Sequence, residues 1–512
     1  MVDKDLIEQI KIYMQKLEKE ITFKVSSQLH EKRDELLTML KEICETSNKL
    51  SIKIDETEYR SGVSFEILLE GQSTGIIFSG VPGGHEFNSL ILAIIQASTN
   101  SIKIDDSLKD IIKNIKNPLK FETVISLSCH NCPDVVQTLN QMAILNPLIS
   151  NEMIDGGLFP ELIAEKKIQG VPTIFLNDEV FYNGKIELSQ ILELINQKFP
   201  QEIELKYSEH LYDSVVIGGG PAGISASIYI ARKGLQTLMI ADKIGGQVQD
   251  TNDIENMISK ILTTGHDLSH DLEKHLEHYQ IETKKNLIVK EIQDKKSYKE
   301  IYLNSGEVIK SKSVVIATGA KWKTLGVPGE KGVSGIAFCV NCDGPFYKDK
   351  HVVVVGGGNS GIEAALDLVK IVKHVTVLEF MPVCKADKIL IDRLIKHENV
   401  NIVTNAHIQE IENRDGKVSG VIFTNRETNE TNIISTEGVF IQIGLTPNSD
   451  FVKDLLETNK FGEILIDAKC KTNIEGIFAA GDVTNVPYKQ IVIGIGEGAK
   501  AGISVADYIK TI

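Results

Sequence analysis

Asp213-Ser214-Val215-Val216-Ile217-Gly218-Gly219-Gly220-Pro221-Ala222-Gly223 is the stretch on which the fold turns. Its apolar run reads as a strand buried on both faces, the habit of parallel sheets. The run feeds straight into Gly-x-Gly-x-x-Gly, at Gly218, Gly220 and Gly223, and then into an apolar helix stopped by Gly234. In that strand-to-helix setting the glycines serve a tight turn, close approach of a pyrophosphate to the backbone, and close helix packing. Asp242 ends the next strand, Thr237 to Ile240, about twenty residues on, where a carboxylate can bond a ribose hydroxyl. The fold class is therefore α/β, with a Rossmann-like dinucleotide-binding domain.

The same grammar recurs. His351-Val352-Val353-Val354-Val355 enters Gly356, Gly358 and Gly361, and after a helix the strand Val375 to Leu378 ends in Glu379. Two such sites mean two cofactors. Between them stands Phe338-Cys339-Val340-Asn341-Cys342-Asp343-Gly344, whose cysteine pair can pass two electrons as a dithiol and disulfide. The competing reading, half of a zinc site, needs a second CxxC or CxxH close by in the chain; none follows at the usual spacing, so no metal is expected. A dithiol beside two dinucleotide sites makes flavin plus nicotinamide the economical assignment, because a nicotinamide gives a hydride and a flavin can hand electrons to a disulfide. Glu475 to Asp482 reads as a returning strand whose terminal acid, Asp482, could hold a polyol. The second dinucleotide domain, 325–445 with the CxxC pair, is thus expected as an insertion within the first, 211–324 and 446–512.

Ahead of these, residues 1–196 alternate helices and short strands and contain one unit twice, 1–100 and 101–196. In the second copy Thr123 to Leu127 delivers Ser128-Cys129-His130-Asn131-Cys132-Pro133 onto a helix N-terminus. Unpaired N–H groups and the helix dipole there favour the thiolate of Cys129, with Cys132 expected a turn inside the helix. A protonated His130 would lower that thiol's pKa further; an exposed polar residue without a role is the other reading of His130. Downstream, Gly170-Val171-Pro172-Thr173 stands where a thioredoxin-like fold sets a cis-proline against its dithiol. In the first copy the strands Phe65–Leu69 and Gly75–Phe78 lead to Gly83-Gly84-His85-Glu86 in the corresponding place, without cysteines. Residues 197–210 lose periodicity, carry Pro200 and read as a linker.

Composition bounds the function. A chain of 512 residues exceeds one core, and a net charge of −15 disfavours nucleic acid and anionic membrane surfaces as partners. No apolar run approaches the roughly 18 residues of a membrane span, and Met1 to Glu20 lacks a signal peptide's apolar centre. A cytoplasmic protein is expected. Of seven cysteines, four form the two pairs; Cys44, Cys384 and Cys470 stand alone and are expected to be inert.

The fingerprint, Ala317-Thr318-Gly319, the CxxC followed by Asp343, the second fingerprint and Ala479-Ala480-Gly481-Asp482 resemble the low-molecular-weight thioredoxin reductases over about residues 211–512. The front half, with Ser128 to Asp134 and Gly84-His85-Glu86-Phe87, is similar to the flavoprotein component of the bacterial alkyl hydroperoxide reductases. The likeness extends to Cys342-Asp343-Gly344-Pro345 and Pro487-Tyr488-Lys489-Gln490. That resemblance implies a relay from NADH through FAD, Cys339–Cys342 and Cys129–Cys132 to a separate 2-Cys peroxiredoxin, in a homodimer. It also implies Cys342 against the flavin, Cys339 exchanging with the front module, and Asp343 as an acid. Gln247, Asp482 and Gln490 would touch FAD, and Glu86 would be a buried acid near Cys129; a carboxylate merely stabilised by a helix dipole is the other reading of Glu86. Two rival functions are compatible with the same residues. One is a thioredoxin reductase with a fused thioredoxin-like domain serving thioredoxin or glutaredoxin; the other is a non-catalytic flavin-binding sensor, which would show no NADH-driven disulfide reduction.

Overall fold

The computed structural model describes residues 4–512 apart from 57–58, 130, 167, 169, 201–203, 252–253, 331–332, 339 and 415. For 4–7, 9, 250, 341, 342 and 345 it describes the backbone only. Cys339 and His130, both singled out by the sequence, lie outside the described residues. The chain forms two compact units, Met1–Glu204 and Leu205–Ile512. Among the described residues no helix is long and apolar enough to cross a membrane.

The first unit is one eight-stranded sheet built from a duplicated motif. The first copy runs β1 (Ile21–Ser26), helix Arg33–Cys44, β2 (Leu50–Asp55), β3 (Ser64–Leu69), β4 (Gln72–Ser79) and helix Phe87–Thr99. The second runs β5 (Leu119–Ile125), helix Cys132–Leu145, β6 (Ile149–Asp155), β7 (Thr173–Leu176), β8 (Glu179–Asn183) and helix Leu188–Lys198. In each, the first strand pairs parallel with the second and antiparallel with the third, which pairs antiparallel with the fourth. Parallel pairing of β4 with β6 joins the halves into the order β2-β1-β3-β4-β6-β5-β7-β8. Phe23, Phe65, Phe78 and Phe121 are fully buried, and Phe65 stacks on Phe78 at 5.3 Å. Arg60 of the first copy clamps two buried acids of the second, Glu122 at 2.6 Å and Glu152 at 2.7 Å.

This topology corrects the alignment of the copies. The counterpart of the cysteine loop, which lies between β5 and its helix, is the segment 27–32 between β1 and Arg33–Cys44; Gly83 to Glu86 precedes the closing helix instead. The misreading came from passing over β1, although Ile21-Thr22-Phe23-Lys24-Val25 alternates apolar and polar with the period of two that a strand requires. The linker is also shorter than 197–210. The last helix continues to Lys198, and β9 starts at Lys206, because Lys206 to Tyr212 pair with Glu307 to Ser311 and satisfy their backbone groups in a sheet.

In the second unit β9 (Lys206–Ile217), β10 (Thr237–Ala241), β11 (Glu282–Lys285), β12 (Val289–Asp294), β13 (Lys299–Leu303) and β14 (Glu307–Ile316) form a sheet ordered β11-β10-β9-β14-β13-β12. The chain leaves through β15 (Ala320–Trp322) for a second sheet. That sheet comprises β16 (Ile336–Ala337), β17 (His351–Val355), β18 (His374–Leu378) and β19 (Val400–Val403). After a three-stranded antiparallel sheet of β20 (Ala406–Arg414), β21 (Lys417–Asn425) and β22 (Thr431–Ser435), β23 (Gly438–Ile441) completes the parallel order β16-β23-β17-β18-β19. The chain returns through β24 (Leu445–Pro447), antiparallel to β15, and β25 (Ile477–Ala479) joins the first sheet beside β14. β17 is buried over Val352–Val355, as a central parallel strand must be. The helix Pro221–Ala231 and the helix Ile491–Ile509 pack against each other and against the first sheet. A Cβ on Gly498 would lie 2.0 Å from Ala222 O, so only glycine permits that approach.

Candidate active site

The two glycine fingerprints fit a dinucleotide. A Cβ at Gly218 would lie 2.2 Å from Ala317 O and one at Gly223 1.9 Å from Gly218 O, whereas one at Gly220 would meet nothing within 4 Å. The second site repeats this: 2.5 Å from Gln442 O at Gly356, 1.9 Å from Gly356 O at Gly361, and open space at Gly358. The outer glycines are required by packing, and the middle one leaves the backbone bare where a pyrophosphate meets a helix N-terminus. Gly218 and Gly356 have φ of +117° and +119°, a region L-residues avoid.

At the C-terminal edge of the first sheet, Asp242 follows β10 and Asp482 sits in the turn Gly481–Val483 after β25. Burial raises the Asp482 carboxyl, and Lys489 partly offsets this. Gln490 is the N-cap residue of Ile491–Ile509, and its Oε1 accepts from Asn256 Nδ2 at 3.1 Å. Gln247, with its amide oriented to satisfy both neighbours, donates to Ala320 O at 2.8 Å and accepts from Trp322 Nε1 at 3.0 Å. At the second site Glu379 is buried, its oxygens accepting from the backbone N–H groups of Gly357 and Met381 at 2.5 and 2.7 Å.

Between the sites the helical turn Val340–Asp343 carries position 342, followed by the turn Gly344–Tyr347 and β17. Asp343 is half-buried, and after burial its charge is the further cause that raises the Tyr347 hydroxyl. Phe338, one residue before Cys339, stacks on Trp322 at 5.7 Å and 22°, and its carbonyl accepts from Gln442 Nε2 at 2.8 Å. Sequence reasoning missed Trp322, Phe338 and Gln442. The only signal was that Trp322 is the sole tryptophan of the chain.

In the first unit Cys129 and Cys132 form a disulfide, Cys132 fully buried and Cys129 partly exposed. The helix begins at Cys132 rather than at Cys129, so Cys132 takes the first helical position and Cys129 the turn before it. Pro133 explains this: it suits the first turn, but further inside a helix its ring would clash with the preceding turn. Val171–Pro172 is a cis peptide, and Val171 O lies 3.8 Å from Cys129 Sγ. The segment Gly84–Glu86 lies against this loop through His85 N–H donating to Leu127 O at 3.3 Å. Glu86 is wholly buried, and among the described residues neither of its carboxylate oxygens makes a hydrogen bond of good geometry. Its carboxyl is pushed up to about 7 by burial, with Asp134 adding to the shift and the Ser89 hydroxyl pulling it back. Burial alone raises the Cys44 thiol to about 12; burial and then Glu497 do the same for Cys470, leaving both poor nucleophiles.

The sequence matches the family pattern described as Pyridine nucleotide-disulphide oxidoreductase over residues 212–498. The chain belongs to that family. A second pattern, Thioredoxin domain, matches residues 120–196. The chain is 45% identical over 503 residues, 98% of it and 96% of the relative, to a protein named NADH dehydrogenase from Ferdinandcohnia aciditolerans. It is 44% identical over 512 residues, 99% of each, to the F subunit of alkyl hydroperoxide reductase in Staphylococcus aureus. The solved thioredoxin reductase of Streptococcus pyogenes is 38% identical, covers 60% of this chain and 100% of its own, and superimposes with a TM-score of 0.56. Within its family the chain is thus of the same kind as that alkyl hydroperoxide reductase component: an α/β oxidoreductase with a thioredoxin fold ahead of the pyridine nucleotide-disulphide part. Such a protein uses a flavin and NAD(P)H to reduce disulfides.

Proposed function

We propose that the chain passes electrons from NADH through FAD and Cys339–Cys342 to Cys129–Cys132, and then to the disulfide of a separate 2-Cys peroxiredoxin that consumes hydrogen peroxide and alkyl hydroperoxides. The observation that carries this is the Cys129–Cys132 disulfide itself, one sulfur reachable and one buried, in a chain that also holds two glycine-lined dinucleotide sites. Cys129 is the outward nucleophile and Cys132 resolves the mixed disulfide. Cys342 faces the flavin, Cys339 exchanges with the front unit, and Asp343 supplies the proton. FAD, held by Gly218, Gly220, Gly223, Asp242, Gln247, Asp482 and Gln490, supplies a two-electron store. NADH is held by Gly356, Gly358, Gly361 and Glu379. The names of relatives that match the chain end to end support this reading, and by the same resemblance the protein works as a cytoplasmic homodimer. NADH oxidation should be fast with a 2-Cys peroxiredoxin and slow with thioredoxin; the reverse order would make the chain a thioredoxin reductase with an appended domain.

NADH is preferred over NADPH in this reading. Glu379 presents a buried carboxylate where a 2′-phosphate would have to sit, and Phe380-Met381-Pro382 brings no arginine in sequence to meet that phosphate. Glu379→Ala should narrow the ratio of kcat/KM values by roughly tenfold or more, about 1.4 kcal/mol of lost discrimination. Equal values for the two coenzymes in the wild type would remove the argument.

The two cysteines near the flavin should also separate spectroscopically. Cys339→Ser leaves the Cys342 thiolate beside oxidised FAD and should give a long-wavelength absorbance band; Cys342→Ser should not. The opposite pattern would exchange their roles.

A further inference from the structure

Residues 380–385 leave the second dinucleotide site and come back to it. Before them, the Glu379 backbone is fixed by its N–H donating to Val403 O and by Ala406 N–H donating to its carbonyl, both at 2.9 Å, and its carboxylate accepts from Gly357 N–H. After them, Ala386 N–H donates to Gly357 O at 3.1 Å, and a Cβ on Gly357 would lie 2.7 Å from Cys384 Sγ. Both ends of the excursion are thus anchored on the fingerprint loop. Yet it turns apolar side chains outward: Phe380, Met381 and Val383 are all exposed. Single exposed apolar residues are ordinary, but three within four positions beside a ligand site make a contact surface. Phe380 is the member held still. Its ring is 47% exposed, with the Arg426 guanidinium over it at 3.9 Å from the centroid and the His407 ring perpendicular to it at 5.5 Å. Arg426 Nη1 also donates to Phe380 O at 2.9 Å. Arg426 N–H donates to Asn405 O at 2.8 Å, and Asn405 N–H to Met381 O at 3.0 Å. Three stretches, the end of β18, the start of β20 and the turn after β21, therefore fix one half-exposed aromatic ring.

We propose that Phe380, backed by Arg426, is the platform on which the adenine of the dinucleotide stacks at the second site. The proposal rests on the reading of that site as the NADH site, with Glu379 on the adenosine ribose. The pyrophosphate on one side of that ribose belongs at the bare backbone of Gly358, and the base lies one glycosidic bond away on the other side. Adenine then falls on the solvent side of Glu379, where the next residue in the chain is Phe380. A purine has a flat apolar face and a polar edge, and a half-exposed ring with a guanidinium laid over it offers the matching surface. Because the ring is already fixed, a base landing on it gives up little side-chain freedom, and the stacking reaches the affinity. The contact is made at the end of the coenzyme remote from the transferred hydride. It therefore governs binding and leaves the chemical step alone.

The test titrates the full-length FAD-loaded protein with ADP-ribose, which carries the adenosine half of NADH without the nicotinamide, and reads the dissociation constant by calorimetry. Phe380→Ala, and Phe380→Leu, which keeps apolar bulk without a flat face, should weaken binding roughly fivefold to a hundredfold, as loss of an aromatic partner from a base does. Phe380→Tyr should stay within about threefold of the wild type. Arg426→Ala, which keeps the ring but removes its backing, should weaken binding about two- to fivefold. Kinetics separate binding from chemistry. In Phe380→Leu the KM for NADH should rise in parallel with the ADP-ribose constant, while flavin reduction at saturating NADH changes by less than about twofold. Reduced nicotinamide mononucleotide, which has no adenine, should reduce the flavin equally fast in the wild type and in Phe380→Leu. Equal ADP-ribose affinities in the wild type, Phe380→Ala and Phe380→Leu overturn the platform and leave the NADH reading standing; slower peroxiredoxin turnover in those variants would then assign the exposed patch to the protein partner. A loss with the mononucleotide as large as that with NADH also overturns the platform. A wild type that binds no ADP-ribose and whose flavin is not reduced by NADH overturns the coenzyme reading and the platform together.

Discussion

Removing residues 1–204 is expected to leave a protein that binds FAD and is reduced by NADH, yet reduces its partner peroxiredoxin roughly 10²- to 10⁴-fold more slowly than the intact chain. The remainder should fold: Leu205–Ile512 is a compact unit with its own cores, and a complete thioredoxin reductase matches that share of the chain along its whole length. What is lost is the carrier. Covalent attachment holds a carrier at an effective concentration on the order of millimolar, so its loss is felt far more than the loss of any single contact. In the full chain Cys129→Ser should be as severe, because Cys132 is wholly buried and cannot substitute as the attacking sulfur. Supplying residues 1–204 as a separate chain should restore turnover only as its concentration approaches millimolar. NADH oxidation coupled to peroxide loss reads all of these. A truncated protein as fast as the intact one would show that the front unit is dispensable and the relay wrong.

Glu86→Gln is expected to change the pH dependence of stability. The Glu86 carboxyl is pushed up to about 7 in the folded protein from an ordinary value of 4.5, chiefly by burial. A carboxyl with a raised folded-state pKa favours folding when protonated. Its contribution is complete below about 4.5 and is lost as pH rises toward and past 7, amounting to about 3 kcal/mol at pH 8. Gln keeps the shape without the charge, so the difference in Tm between variant and wild type should grow steadily in the variant's favour from pH 5 to pH 8. Any cost of burying the amide is independent of pH and shifts the whole difference without altering its slope. Thermal unfolding across that range, followed in the transition of the first unit, decides it; parallel curves would mean that Glu86 titrates normally. The same group lies against the cysteine loop through the His85 bond to Leu127, so activity should lose part of its pH dependence near 7 in this variant.

Sequence alone determined the parts whose chemistry is local. Each glycine fingerprint needs only a strand, three glycines and a helix in succession, and those follow one another in the chain; the same holds for a cysteine pair and for the proline that faces it. That is why both glycine fingerprints, the Cys129–Cys132 pair and the interruption of one sheet's strand order by another sheet were legible in the order of residues. Tertiary structure decided whatever depends on partners remote in sequence. The duplicated front unit was misaligned because pairing of β1 with both β2 and β3, not the apolar run after β4, defines the repeat. The linker lost its C-terminal end because Lys206 to Tyr212, polar and aperiodic, are fixed by hydrogen bonds to a strand about a hundred residues away. Glu86 could be read from sequence as a carboxylate stabilised by a helix dipole or as a buried acid; only the fold buried it, which removed its water and raised its pKa. Trp322 and Gln442 carry no motif at all, Phe338 only borders one, and Gln247 was named through the resemblance alone. They meet because β15 and β24 cross between two domains, and a contact made at such a crossing has no period or spacing in the sequence to announce it.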